Sequence, residues 1–85
     1  MDFELTDHAK DVLAERKISE EWVWKTLNEP EKKETGNDNN LHYFRKIPEY
    51  GFRILHVVVN PETLPKEIIT IFFDRREIKN EIKNR

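Results

Sequence analysis

Residues 5–30 read LTDHAKDVLAERKISEEWVWKTLNEP, and this stretch decides the fold. Thr6 is a good N-cap, because its hydroxyl accepts a hydrogen bond from a first-turn amide. Asp7 follows where a negative charge suits the helix dipole. Ala9, Val12 and Leu13 then form the i, i+3, i+4 apolar stripe of a helix that packs on one face. Ser19 opens a second helix. Ile18 before it and Val23 within it fit a hydrophobic staple, and Glu20 and Glu21 make an acidic first turn. Val23 and Leu27 are its core pair. Trp22 and Trp24 flank that pair on opposite sides of the helix, which leaves at least one partly exposed. Pro30 ends the helix near Asn28 or Glu29.

Two charged residues in this stretch carry candidate chemistry. Arg16 falls on the apolar face and needs a partner or a route to water. One reading has it binding helix-end carbonyls or a sheet carboxylate; the other has it binding a phosphate or similar anion. His8, at the edge of the stripe, reads either as a satisfied first-turn side chain or as a general acid or base. At ~1.5 Å rise per residue the two stand about 12 Å apart along the axis, so they fit one extended substrate better than one atom.

From here the chain reads as sheet. Residues 1–5 are a short edge strand or an extended lead-in. Residues 31–40, with Gly36, Asn37, Asp38, Asn39 and Asn40, read as a polar mobile loop. A calcium role for Asp38 finds no support, because the calcium-loop spacing is missing. Strands follow over 41–47, 52–59 and 67–74, separated by the turn Pro48-Glu49-Tyr50-Gly51 and a loop punctuated by Pro61 and Pro65. Ile78 and Ile82, four apart, suggest a short C-terminal helix. The expected architecture is α+β: two N-terminal helices on an antiparallel sheet of three or four strands.

If the turn holds four residues, Ile47 pairs with Phe52 and Tyr43 lies opposite His56. Strand alternation then gathers Tyr43, Arg45 and His56 on one face, with His42, Phe44 and Lys46 on the other. A one-residue change in the turn would reverse this sorting. The trio suits metal-free RNA cleavage, which needs proton transfer and a cation at the phosphate. His56 would be the base or acid, Arg45 the phosphate clamp, and Tyr43 a stacking or proton-donating group. The bland alternative is a cross-strand aromatic–His pair, with Arg45 reaching water.

Composition narrows the classes. Eighty-five residues make one domain with a small core. Charged residues are 38% of the chain, well above the usual ~25%. With no cysteine there is no disulfide framework and no thiol chemistry. Asp2, Glu4 and Asp7 interrupt any signal peptide, and the apolar run 54–59 is too short to span a bilayer, so a cytoplasmic setting is expected. Net charge is −2, which argues against a general nucleic-acid coat. The charge is uneven: residues 1–31 carry nine acids and four bases (−5), and residues 32–85 carry eight acids and eleven bases (+3). His8, His42 and His56 have no zinc-site spacing, Gly36 and Gly51 make no phosphate loop, and the lone Ser19 is a cap rather than a nucleophile. No cofactor or metal is expected.

The ordered set His8-Ala9, Arg16, Ile18-Ser19, Val23, Leu27 and Pro30, then a Tyr-containing strand, a Val-rich strand and Ile69-Thr70-Ile71, resembles the DUF4258 family. It covers nearly the whole chain. That family looks related to the RelE/ParE and BrnT-like toxins, and the resemblance implies a metal-independent endoribonuclease with an RNA substrate and an antitoxin partner. An aromatic hydroxyl often follows the Thr of the last strand in this family; here Phe72 stands in its place. The rival expectation is a non-catalytic protein-interaction module on the same fold.

Overall fold

The computed structural model describes residues 2–74. The chain runs β1 (Phe3–Leu5), α1 (Asp7–Arg16), α2 (Glu20–Asn28), β2 (Lys32–Thr35), β3 (Leu41–Ile47), a 3-10 turn (Pro48–Tyr50), β4 (Arg53–Asn60) and β5 (Lys66–Phe73). The five strands form one sheet in the order β1-β5-β4-β3-β2. The α+β class with two helices on a sheet is as expected, but the sheet is larger and mixed. β1 joins it parallel to β5, and part of the expected polar loop is strand β2, paired antiparallel to β3. All four residues of β2, Lys32, Lys33, Glu34 and Thr35, are exposed; charge along an edge strand discourages pairing with other chains. The expected C-terminal helix lies outside the described residues. Among the described residues no helix is long and apolar enough to cross a membrane.

The helix starts work as their residues dictate. The Thr6 hydroxyl accepts the Ala9 N–H at 3.0 Å and donates to the Ile68 carbonyl at 2.9 Å, so one oxygen caps α1 and ties it to β5. Lys17 takes the left-handed conformation (φ 56°), and the Ile18 N–H reaches back to the Leu13 carbonyl at 2.9 Å; this closes α1 and turns the chain at once into α2. Ser19 sits at the N-cap of α2 without a side-chain cap bond. The Thr26 hydroxyl bonds the Trp22 carbonyl at 2.8 Å instead of remaining unsatisfied in the core.

Both helices lie on one face of the sheet. Ala9, Leu13, Ile18, Val23 and Leu27 pack there on Tyr43, Ile47, Leu55, Val57, Val59, Ile68 and Ile71. Leu55, Val57, Val59, Ile68 and Ile71 are fully buried, which fits a central pair of strands. A bulge in the β4–β5 ladder aligns Val58 with Thr70 and Val59 with Ile68. Ile69, expected on the face of Ile71 and Phe73, is thereby the extra residue, and Ile68 takes the core position.

The decisive difference lies in the β3–β4 turn. Ile47 pairs with Arg53, not Phe52. The turn holds five residues because Pro48–Tyr50 form a 3-10 turn and both Gly51 (φ 68°) and Phe52 (φ 60°) are left-handed. This shifts the register by one, and every β3 side chain meets a different partner across the ladder. Tyr43 now stands opposite Val57, and Phe44 opposite His56.

Candidate functional site

The shifted register divides the expected trio. Tyr43 and Arg45 point to the helix face with Leu55 and Val57, while His56 points to the other face with Phe44. Tyr43 is only 4% exposed and packs edge-on against Phe3 with ring centroids 5.9 Å apart. Lys33 Nζ lies 5.4 Å from its ring centroid. Arg45 Nη1 donates to the Glu29 carbonyl at 2.6 Å, at the end of α2, and its buried Nε has no hydrogen-bond partner. Arg16 Nη1 donates to the Ile71 carbonyl at 2.7 Å. Both arginines therefore bind main-chain carbonyls, which ties a helix end to the sheet. His8 is exposed in the first turn of α1. The expected set His8, Arg16, Tyr43, Arg45 and His56 does not converge.

What converges instead is a line of four titratable groups on the face away from the helices. His56 Nδ1 meets Asp74 Oδ2 at 3.1 Å, and His56 Nε2 meets His42 Nδ1 at 2.7 Å. His42 Nε2 in turn meets Asp38 Oδ1 at 3.2 Å. The line passes from a buried end to a wet one. The His56 and Asp74 side chains are 8% and 6% exposed; those of His42 and Asp38 are 17% and 49%. Carboxylate oxygens accept, so His56 Nδ1–H donates to Asp74 and His42 Nε2–H donates to Asp38. The contact between the rings needs a third N–H. Two neutral imidazoles carry only two such protons between them, so in the neutral pair the ring-to-ring contact competes with one of the carboxylates for an N–H.

Each member is placed by local backbone. His42 and His56 lie on adjacent strands on one face, a diagonal step apart across the β3–β4 ladder, because Phe44 is the residue opposite His56. Phe44 and Phe72 bracket the His56 ring, at centroid distances of 4.2 and 4.5 Å, and fix its plane. Asp74 follows β5, and its N–H donates to the Ile54 carbonyl at 2.8 Å, which holds its side chain beside His56. Asp38 sits in the β2–β3 turn. Its Oδ1 accepts the Asn40 N–H at 3.0 Å and its Oδ2 accepts Asn40 Nδ2 at 3.1 Å. The Asn40 main-chain bond, and then the His42 ring, hold the Asp38 carboxyl down at about 2 from an ordinary 3.8. Lys32 and Lys46 belong to the same face, with Lys32 Nζ 4.9 Å from the Phe44 ring centroid.

The four groups are strung end to end rather than gathered round a centre. Among the described residues no three or more His, Cys, Asp or Glu side chains are grouped to hold a metal ion. What the line can do is move or store a proton: a carboxylate behind a buried imidazole fixes the tautomer and orientation of the outer one. Of its members, reasoning from sequence found only His56. His42 was on the opposite face in the expected register, Asp74 was the last residue of an expected strand, and Asp38 was weighed only as a calcium ligand. The available signal was the turn. Pro48 and Gly51 mark a 3-10 turn and its left-handed cap, but the fifth loop residue, Phe52, carries no such mark.

A family model described as a domain of unknown function, DUF4258, matches residues 5–73. No curated protein and no solved structure matches the chain.

Proposed function

The chain belongs to the DUF4258 family, and from that premise we propose that it is a metal-independent endoribonuclease whose outer catalytic group is His42. The observation that carries the proposal is the 2.7 Å contact between His42 and the buried His56, itself held by Asp74. This line supports general acid catalysis better than the expected trio did, because its outer imidazole carries a proton on Nε2 at the wet end of the line, where its partner is the half-exposed Asp38. As the 2′-oxygen of RNA bonds to phosphorus, the bond from phosphorus to the 5′-oxygen breaks. The leaving oxygen takes the proton from His42 Nε2, and the 2′-hydroxyl proton passes to water. His56 and Asp74 are positioning residues that orient His42. Lys32, ion-paired with Glu34 at 3.6 Å, and Lys46 lie on the same face, and Phe72 offers a ring for a base to stack on. RNA as the substrate class, and likeness to the RelE/ParE type, are part of the proposal.

The test is incubation with RNA in the presence of a chelator, beside His42→Ala and Arg45→Ala variants shown to fold by circular dichroism. The parent is expected to cleave and leave 2′,3′-cyclic phosphate ends. His42→Ala is expected to lose about 10²-fold or more, the usual share of a general acid or base. Arg45→Ala is expected to keep its cleavage rate. A parent that does not cleave retires the proposal.

One observation favours a second reading, a non-catalytic module that binds an antitoxin or another protein partner. Phe52 is 63% exposed in a left-handed conformation, which costs a bulky side chain about 1–2 kcal/mol. Beside it Tyr50 stacks on Phe73 at 4.6 Å and leans on Trp22 at 5.7 Å, with Arg53 over its ring. A strained exposed aromatic, two residues along the chain from a stacked aromatic cluster, suits a partner surface. This reading expects a protein that binds the parent and is lost with Phe52→Asn, a change that relieves the backbone.

A further inference from the structure

We propose that Asp38 is a latch on His42: its carboxylate occupies the place on His42 Nε2 that an oxygen of a phosphate ligand takes when the site is used. The proposal rests on the reading of His42 as the group that meets a phosphodiester, and it adds how that group is held closed.

Three observations carry it. The first is direction. His42 Nδ1 is turned inward to His56, so Nε2 is the nitrogen that leads out of the protein, and Asp38 Oδ1 sits on it at 3.2 Å. Any outside ligand of that imidazole meets Asp38 first. The second is the chemistry of the plug. With its carboxyl held at about 2, Asp38 is an anionic acceptor throughout the ordinary pH range. It presents to an N–H the same charged oxygen that a phosphate does.

The third is the fit of Gly36. A Cβ there would stand 2.6 Å from His42 Nε2 and 2.8 Å from Asp38 Oδ1. The positive-φ glycine is Gly51, so Gly36 is not required by its backbone angles. It is required by closeness. The turn is folded tightly onto the His42–Asp38 contact itself, and any side chain at Gly36 would push between the two. A turn needed only to join β2 to β3 has no such demand, since Gly36 N–H to Asn40 carbonyl (2.9 Å) and Asn39 N–H to Gly36 carbonyl (3.0 Å) already close it. The latch is also built to open. Asp38 is held by Asn40, two residues along, and by His42, so releasing His42 leaves the cap on Asn40 in place.

The experiment is titration with inorganic phosphate, read from the ring ¹⁵N and ¹H signals of the histidines. It compares the parent with Asp38→Ala and with Glu31→Gln. The second variant removes one charge from the approach to β2 without touching His42. An intramolecular competitor that is in place nine-tenths of the time weakens apparent affinity about tenfold. Asp38→Ala is therefore expected to bind phosphate about tenfold more tightly, with the largest shifts at His42. Glu31→Gln is expected to change affinity by less than about twofold, as exposed charges do. Equal affinity in parent and Asp38→Ala, equal gains in both variants, or shifts that avoid His42 would overturn the latch. RNA cleavage by the same proteins separates the two ideas. Tighter phosphate binding without cleavage by any form keeps the latch and retires the ribonuclease. Cleavage by the parent with no phosphate gain in Asp38→Ala does the reverse.

Discussion

The two faces of the sheet use polar side chains in opposite ways. On the helix face Arg16 and Arg45 are anchored to the carbonyls of Ile71 and Glu29. A main-chain carbonyl does not titrate, so these bonds only hold parts together. On the other face His42, His56, Asp38 and Asp74 bond one another, and every link in that line joins two groups able to gain or lose a proton. Residue type alone gives arginine and histidine similar promise as catalytic groups. What each one bonds to separates architecture from chemistry.

That contrast predicts different failures. The largest effect belongs to the helix face. Leu55→Ala removes a fully buried side chain at the centre of the core and is expected to cost about 2–5 kcal/mol. Chemical denaturation should show a lower midpoint with the slope unchanged. If His42 and His56 keep their ring signals in the surviving folded fraction, the two faces are independent.

A smaller effect is expected on the other face. Asp74→Ala takes the acceptor from His56 Nδ1 at a site that is 6% exposed, and an unsatisfied buried donor costs about 1–3 kcal/mol. Its mark is chemical as well as structural: the tautomer of His56, read from ring nitrogen shifts, should change while the helix-face methyl signals hold still. A loss of stability with no change of tautomer would break the comparison.

How much of this was legible beforehand follows from the same contrast. The helices were readable because their signals are local: Thr6, Asp7 and the Ala9-Val12-Leu13 stripe each act within a turn. The core strands were readable from their apolar runs. β2 was not, since Lys32 to Thr35 holds no apolar residue and is strand only because β3 supplies its partners. The site was lost at one point. Whether the chain spends four or five residues between β3 and β4 decides which of Tyr43 and Phe44 faces His56, and that depended on Phe52 adopting a left-handed angle that a phenylalanine rarely takes. Asp38 and Asp74 are 36 positions apart in sequence, and no local pattern links them.

The smallest effect is one of acid. Asp38 has its folded value depressed to about 2 from 3.8. Its contribution is thus fully present above about pH 4 and is lost as pH falls through about 2. The turn at Gly36–Asn40 should keep its Asn40 amide signal down to about pH 4 and release it below. Release at a much higher pH would mean that the carboxylate is not what holds the turn.

The pairing of β1 with β5 bears on how the chain comes off a ribosome. Phe3 and Leu5 find their partners at Lys66 and Ile68, and the Thr6 hydroxyl finds the same Ile68. Among the described strands, the first in chain order must therefore wait for the fifth. Until β5 has left the exit tunnel, β1 has no strand partner and α1 lacks the strand it packs on most. Synthesis at about 5–20 residues per second leaves the early segments several seconds of incomplete structure. A nascent chain stalled after β4 would present the apolar stripe of α1 to whatever chaperone stands nearest, and completion of a single strand would withdraw it.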